Sequence, residues 1–271
     1  QREEPYVGEG NKATPVVAFF DVDGTLTDRG NDDGYEVMPT ARVQEAIHAF
    51  VEQGNVAVVC TGRSILGVRG LRDMPFSGFV TLNGTHVILG DQVILNHVIH
   101  ADMLSRTLEE MRRVGMEALI EGTYGNVLVS GVSSDMEQMR MPRIEDYERA
   151  GGRMEFGKID FMDSSMDAYR ASEFLTSCYT YFNVGDGYHE LSIPGTSKGI
   201  GGRALIDALP FEPSRVYAFG DSENDLGILA EADVAVVMEN ASDVVKRHAD
   251  YVTDHVHDDG VVTALEHFGL I

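Results

Sequence analysis

The run Val16-Val17-Ala18-Phe19-Phe20 is apolar without interruption and stops abruptly at Asp21. Five apolar residues with no polar alternation fit a strand covered on both faces, as in the interior of a parallel sheet. The pattern recurs. Val43, Ile47, Phe50 and Val51 follow at helical spacing before Gly54, and Val56 to Cys60 form a second run ending at Thr61-Gly62-Arg63. This is strand, helix, strand, the repeating unit of an α/β domain. Phe79 to Leu82 adds a third strand, closed by Asn83-Gly84.

Beyond Gly84 the reading changes. Residues 86–89 and 93–99 flank Gly90-Asp91 as a hairpin, and Met103, Leu104, Leu108 and Met111 mark one face of a helix. Paired strands are expected near 116–120 and 126–130, and a further hairpin over 178–184 and 188–193. Residues 133–177 carry little periodicity beyond a helix near 165–175. After Pro194 the α/β alternation returns, with a helix over 198–209, a strand at 216–219, a helix from Asn224 and a strand at 234–237. A last helix carries Val261, Val262, Leu265 and Phe268. The expected fold is therefore α/β: a doubly wound parallel sheet, Rossmann-like, from residues 1–84 and 190–271, interrupted by an α+β domain over 85–189.

Charge narrows the partners. With 21 basic against 44 acidic residues the chain carries a formal charge of −23, which repels nucleic acid and anionic membrane surfaces. An anionic substrate must then be met by a local positive site, which a bound metal would supply. Cys60 and Cys178 have neither metal-ligand spacing nor the density of a disulfide scaffold, which favours a reducing compartment. The polar stretch Gln1 to Thr14 has no basic-then-apolar signal pattern, and no apolar run is long enough to span a bilayer, so a cytoplasmic location is expected. No sequence feature fixes an oligomeric state.

Ligands in an open parallel sheet collect at the carboxyl ends of the strands. Three strands end in polar clusters there: Asp21-Val22-Asp23-Gly24-Thr25, Thr61-Gly62-Arg63, and Gly220-Asp221-Ser222-Glu223-Asn224-Asp225. Lys198 stands at the start of a helix in the same half. Four carboxylates, Asp21, Asp23, Asp221 and Asp225, gathered at one edge would raise one another's pKa unless a cation neutralised them. An all-oxygen donor set favours a hard ion, and Mg²⁺ characteristically shares a phosphate oxygen with its substrate. Each piece alone has a bland reading: an acidic turn, a turn glycine, a solvated lysine. Two carboxylates also suit glycoside hydrolysis, but Lys198, Asp221 and Asp225 would have no role in it.

Taken in order, these four pieces resemble the motifs of the haloacid dehalogenase superfamily of phosphatases. Asp21 to Thr25 resembles the first motif, Thr61 the second, Lys198 the third and Gly220 to Asp225 the fourth. The insertion, with Asn240-Ala241, residues 249–253 and Asp259-Gly260-Val261, resembles the Cof-like subclass IIB branch, mostly phosphatases of sugar phosphates and other small metabolites. The resemblance implies a Mg²⁺-dependent phosphatase acting on a small phosphorylated metabolite through an aspartyl-phosphate intermediate. Asp21 would be nucleophile and metal ligand. Asp23 would be general acid and base, ligating the metal through its backbone carbonyl, and Asp221 would complete the protein's metal contacts. Thr61, the Gly62 amide, Lys198 and Asn224 would hold the phosphoryl oxygens, with Asp225 orienting Lys198 or a metal-bound water. Arg63 would face the leaving group or form a surface salt bridge, and the insertion would act as a lid with hinges near Gly84 and Glu190. Two alternatives stay open: a phosphomutase or phosphotransferase, and a catalytically silent metabolite-binding protein.

Overall fold

The computed structural model describes residues 14–28, 37–131 and 133–271. Residues 1–13, part of the expected first segment and of the polar start, lie outside them.

Among the described residues, thirteen strands fall into two sheets. The first, eight-stranded sheet contains β1 (Val16–Phe20), β2 (Val56–Cys60), β3 (Gly78–Thr81), β4 (His86–Leu89) and β5 (Gln92–Asn96). The second has five strands, β6 (Ala118–Gly122), β7 (Asn126–Val129), β8 (Phe156–Met162), β9 (Thr180–Gly185) and β10 (Tyr188–Ser192). The chain then returns to the first sheet with β11 (Arg215–Gly220), β12 (Val234–Val237) and β13 (Tyr251–Val252).

In the first sheet the order is β13-β12-β11-β1-β2-β3-β4-β5. Its pairings from β13 through β3 are parallel, and β3–β4 and β4–β5 are antiparallel. Because side chains alternate across a strand, the apolar run of β1 serves two cores. Ala18 and Phe20 join Val43, Ile47 and Phe50 of the helix Ala41–Glu52, and Val261 and Leu265 of the helix Gly260–His267. Val17 and Phe19 pack with Leu205, Ile228 and Leu229 on the other face. That two-sided burial is the reason the run shows no polar alternation. The Thr40 side chain accepts from the Val43 amide and starts the first of these helices.

The second sheet, ordered β7-β6-β8-β10-β9, is antiparallel throughout. One face packs Ile120, Val127, Ile159, Phe161 and Leu191 against Leu104, Leu108 and Met111 of the helix Ala101–Val114 and Leu175 of the helix Glu173–Cys178. The opposite face carries Glu121, Lys158 and Glu190, all buried; Glu121 accepts from the Ser64 amide and Glu190 from Asn83 Nδ2, both in loops of the first sheet.

Four expectations change. The hairpin at 86–96 belongs to the first sheet, and strand β10, which contains Glu190, belongs to the second. The sheet boundaries therefore lie beyond residue 96 and after Ser192, not at 85 and 189. The turn residues predict a hairpin but not which sheet it joins; antiparallel strands extend the edge of a parallel sheet as readily as they found a new one. Strand β8 lies in the stretch where only a helix was expected. Its alternation is present, but the residues opposite Ile159 and Phe161 include Lys158 and Asp160, so charge conceals its burial. The helix expected near 165–175 is two short ones, Met166–Arg170 and Glu173–Cys178, the second capped by Ser172, whose hydroxyl accepts from the Leu175 amide.

Candidate active site

Because β11, β1 and β2 are neighbours and parallel, their carboxyl ends bring Asp221, Asp21 and Thr61 to one edge. The loop after β1 is tight: the Leu26 amide donates to the Asp21 carbonyl and the Thr27 amide to the Val22 carbonyl. Gly24 within it has φ +83°, and a Cβ there would collide with the Asp221 carboxylate. Backbone freedom and lack of a side chain are both required at that position. The Asn240 amide donates to the Gly24 carbonyl at 2.8 Å, while its oxygen accepts from the Val256 amide.

Lys198 opens the helix Lys198–Asp207, whose start is fixed by Ser197 accepting from the Ile200 amide. Its side chain is fully buried, and Nζ donates to Asp21 Oδ1 at 2.7 Å and to Asp225 Oδ1 at 2.6 Å. Burial alone would lower an ammonium pKa, but Asp21 and Asp225 together hold Lys198 above its ordinary range. Burial and the nearby Asp225 charge push Asp21 up to about 7, against the pull of Lys198.

Asp225 uses its other oxygen locally. Oδ2 accepts from the Asp221 and Ser222 amides, each at 3.0 Å, closing a capping box with Ser222. Its hydrogen bonds thus join Lys198 on one side and the Asp221 loop on the other.

One oxygen each from Asp21, Asp221 and Asp225 lies within 4.8 Å of the other two. These all-oxygen donors, with the raised Asp21, fit a hard divalent cation, which would relieve the crowding of like charge. Since Asp225 is already committed on both oxygens, Asp21 and Asp221 are the carboxylates suited to hold the ion. Asp23 directs its carboxylate elsewhere: Arg63 Nε donates to Asp23 Oδ2 at 2.8 Å and Nη2 to Oδ1 at 2.6 Å. Arg63 is therefore neither a plain surface residue nor turned to solvent; it forks the expected acid.

Thr61 is fully buried, and its hydroxyl accepts from the Arg63 amide. Gly62 sits so close to Glu190 that a Cβ would lie 2.5 Å from Glu190 Oε1. Asn224 departs from expectation. Its Nδ2 donates to Glu190 Oε2 at 2.7 Å and to Asn83 Oδ1 at 3.3 Å, and its Oδ1 accepts from Ser222 Oγ. An amide has two N–H donors, so in this conformation Asn224 has none left for a phosphoryl oxygen. In this conformation Asn224 clamps its loop to Glu190 and Asn83.

Sequence reading missed Asn83, Glu190 and Lys158 as parts of the site. Asn83 looked like the end of a strand, Glu190 lay in an expected strand with no motif, and Lys158 lay in a stretch where no strand was expected. A buried acid beside a basic residue on facing strands is visible only after strands are paired.

A family model described as haloacid dehalogenase-like hydrolase matches residues 18–265. The chain belongs to the haloacid dehalogenase-like hydrolases. It is 27% identical over 254 residues to the 5-amino-6-(5-phospho-D-ribitylamino)uracil phosphatase YcsE of Bacillus subtilis, covering 93% of this chain and 94% of that one. To the phosphoglycolate phosphatase of Methanothermobacter thermautotrophicus it is 26% identical, covering 92% and 96%. Among solved structures, BT1666 of Bacteroides thetaiotaomicron, a phosphatase of the same superfamily, superposes with a TM-score of 0.79 at 27% identity, covering 99% of this chain and all of that one. The fold of the subclass IIB sugar phosphatase BT4131 also matches, with a TM-score of 0.78 at 21% identity over 95% of this chain. The enzyme class expected from the sequence, a phosphatase of this superfamily, agrees with these relatives. Among the described residues no helix is long and apolar enough to cross a membrane.

Proposed function

We propose that the protein is a Mg²⁺-dependent phosphatase that hydrolyses a small phosphorylated metabolite, a sugar phosphate in the first instance, by two displacements at Asp21. The observation that carries this reading is the buried Lys198 ammonium spanning Asp21 and Asp225, with the Asp221 carboxylate beside them. One oxygen of Asp21 is held by Lys198, and the carboxylate would attack phosphorus to give an aspartyl phosphate while the ester oxygen leaves. Asp23, two residues along the same loop, would protonate that oxygen and then take a proton from the water that cleaves the intermediate. Lys198 and the Thr61 hydroxyl would donate to the phosphoryl oxygens as charge develops. Mg²⁺, held by Asp21, Asp221 and the Asp23 carbonyl, would neutralise charge on the phosphoryl group. The second sheet, packed over these loops, would form the lid that limits water and selects the leaving group. A screen of phosphorylated sugars, nucleotides and cofactors for inorganic phosphate release, with and without Mg²⁺, tests the reading; silence across the panel would refute it.

Metal binding is testable without turnover. Asp21 pushed up to about 7 must lose its proton to act as a ligand, so Mg²⁺ should raise the melting temperature of chelator-treated protein more at pH 8 than at pH 6. A melting temperature indifferent to Mg²⁺ at both pH values would exclude the site.

Arg63 predicts a leaving-group effect. If its fork on Asp23 aims the proton donor, Arg63→Met should slow hydrolysis of a sugar phosphate by on the order of 10-fold or more. It should spare para-nitrophenyl phosphate, whose leaving group needs no proton. Equal losses for both substrates would remove Arg63 from acid catalysis.

A further inference from the structure

The second sheet sends one carboxylate into the site's foundations. Glu190, on β10, is buried and takes three donors from two sheets. Its Oε2 accepts from Asn83 Nδ2 and from Asn224 Nδ2, each at 2.7 Å, and its Oε1 accepts from Lys158 Nζ at 2.8 Å. Lys158, on β8, is itself buried, with Asp160 Oδ1 at 2.8 Å and Glu121 Oε1 at 3.1 Å. Lys158 and these donors hold Glu190 down at about 2, against its burial.

Each partner of Glu190 leads to a different catalytic loop. Asn83 lies in a turn where Leu82 and Asn83 have φ of 50° and 54°, positive values that side-chain-bearing residues avoid, followed by Gly84 at 88°. That turn braces the loop after β2: the Asn83 amide donates to the Thr61 carbonyl and the Leu82 amide to the Arg63 carbonyl. Asn83 Nδ2 also donates to Ser192 Oγ, a second tie to β10. Asn224 stands between Asp221 and Asp225 and receives Ser222 Oγ. Gly62 abuts Glu190 Oε1 directly.

Stability alone is a poor reason for this arrangement. A buried ionic network barely repays its desolvation, and an apolar replacement of similar volume often does as well. What the network does supply is a fixed geometry between elements that are far apart in sequence.

We propose that Glu190 is a positioning residue for the phosphoryl site: one carboxylate on the second sheet locks the Thr61–Arg63 loop through Asn83 and the Asp221–Asp225 loop through Asn224. Lys158 keeps that carboxylate in place. The placement of the second sheet is thereby coupled to the phosphoryl-binding loops, and its pivot lies at β10. This rests on the phosphatase reading above.

The test compares wild type with Glu190→Asp, Glu190→Gln, Asn224→Ala and the Glu190→Asp/Asn224→Ala pair. The readouts are kcat/KM for a phosphomonoester with Mg²⁺, the inhibition constant of inorganic phosphate, and melting temperature. Glu190→Asp keeps the charge opposite Lys158 but withdraws the carboxylate from both asparagines. It should weaken phosphate inhibition and lower kcat/KM by roughly 10- to 100-fold, the scale of a catalytic group displaced by about an ångström, with little change in melting temperature. Glu190→Gln should lose activity as well, since one of its two terminal atoms becomes an NH₂ that cannot accept from the asparagines or from Lys158, and its stability should fall only in part, because Lys158 keeps Asp160 and Glu121. The paired variant should be little worse than its poorer single parent, as expected of residues acting in one chain. Folded Glu190→Asp with unchanged phosphate inhibition and kcat/KM would overturn the proposal, as would strictly additive losses in the pair. Should neither Glu190 variant fold, Asn83→Gly, which suits the positive φ and removes the side-chain amide that donates to Glu190, decides by the same criterion. A wild-type protein that releases no phosphate from any ester would instead overturn the phosphatase reading on which the proposal depends.

Discussion

Asp21→Asn is expected to abolish phosphate release, by at least on the order of 10⁴-fold in kcat, while leaving the protein folded. The amide is nearly isosteric with the carboxylate but is a far weaker nucleophile and a weaker ligand for a hard cation. Stability should move the other way. In the metal-free protein, burial and Asp225 raise Asp21 from its usual 3.8 to about 7. Between those values the folded state binds more protons than the unfolded state, so this group makes wild-type stability fall as pH rises from about 4 to 7. The substituted amide does not titrate, and Lys198 keeps Asp225 as its partner. In chelator-treated samples the variant's melting temperature should therefore gain on wild type as pH rises from 4 to 8. Activity within tenfold of wild type would refute the nucleophile. A melting difference that is flat with pH would refute the charge crowding at Asp21.

Legibility in the sequence followed local signal. The strands β1, β2, β11 and β12 announce themselves because burial on both faces removes every polar residue from their centres. The residues just after them are equally exposed to reading, since a parallel sheet makes strand ends the natural site. What Lys198 touches was also open to inference, because a lone ammonium near four carboxylates has few alternatives. Strand β8 was hidden because its second face is buried by charge pairing, so Lys158 and Asp160 looked like solvent-facing residues. The edge hairpin β4–β5 was visible as a hairpin, but its allegiance depends on a neighbour that no local pattern names. Asn224 shows the same limit at the level of one side chain. Its position in the fourth motif is plain, yet its hydrogen bonds are decided by Glu190 and Asn83, 34 and 141 residues away in sequence.

Lys198→Met should give the largest combined loss of activity and stability, and the pH and metal dependence of that loss identify its cause. The methionine fills similar space, so packing around the buried stem changes little. The ammonium, however, compensates Asp21 and Asp225 at 2.7 and 2.6 Å, both in the interior. Removing one partner of such a group leaves uncompensated buried charge, at a cost of about 3–5 kcal/mol. Two processes can relieve it. Protonation of Asp21, which burial and Asp225 already push up to about 7, removes one of the two buried charges, so the deficit relative to wild type should be greatest near pH 8 and shrink toward pH 5. A divalent cation supplies positive charge at the same edge, so Mg²⁺ should restore part of the stability at pH 8. It should not restore turnover, because the donor that holds the attacking carboxylate and meets the phosphoryl oxygens is gone. Urea denaturation of chelator-treated and Mg²⁺-supplemented protein at pH 5.5 and 8 measures all four corners. A deficit that ignores both pH and Mg²⁺ would assign the role of Lys198 to packing, and near wild-type turnover would remove it from the reaction.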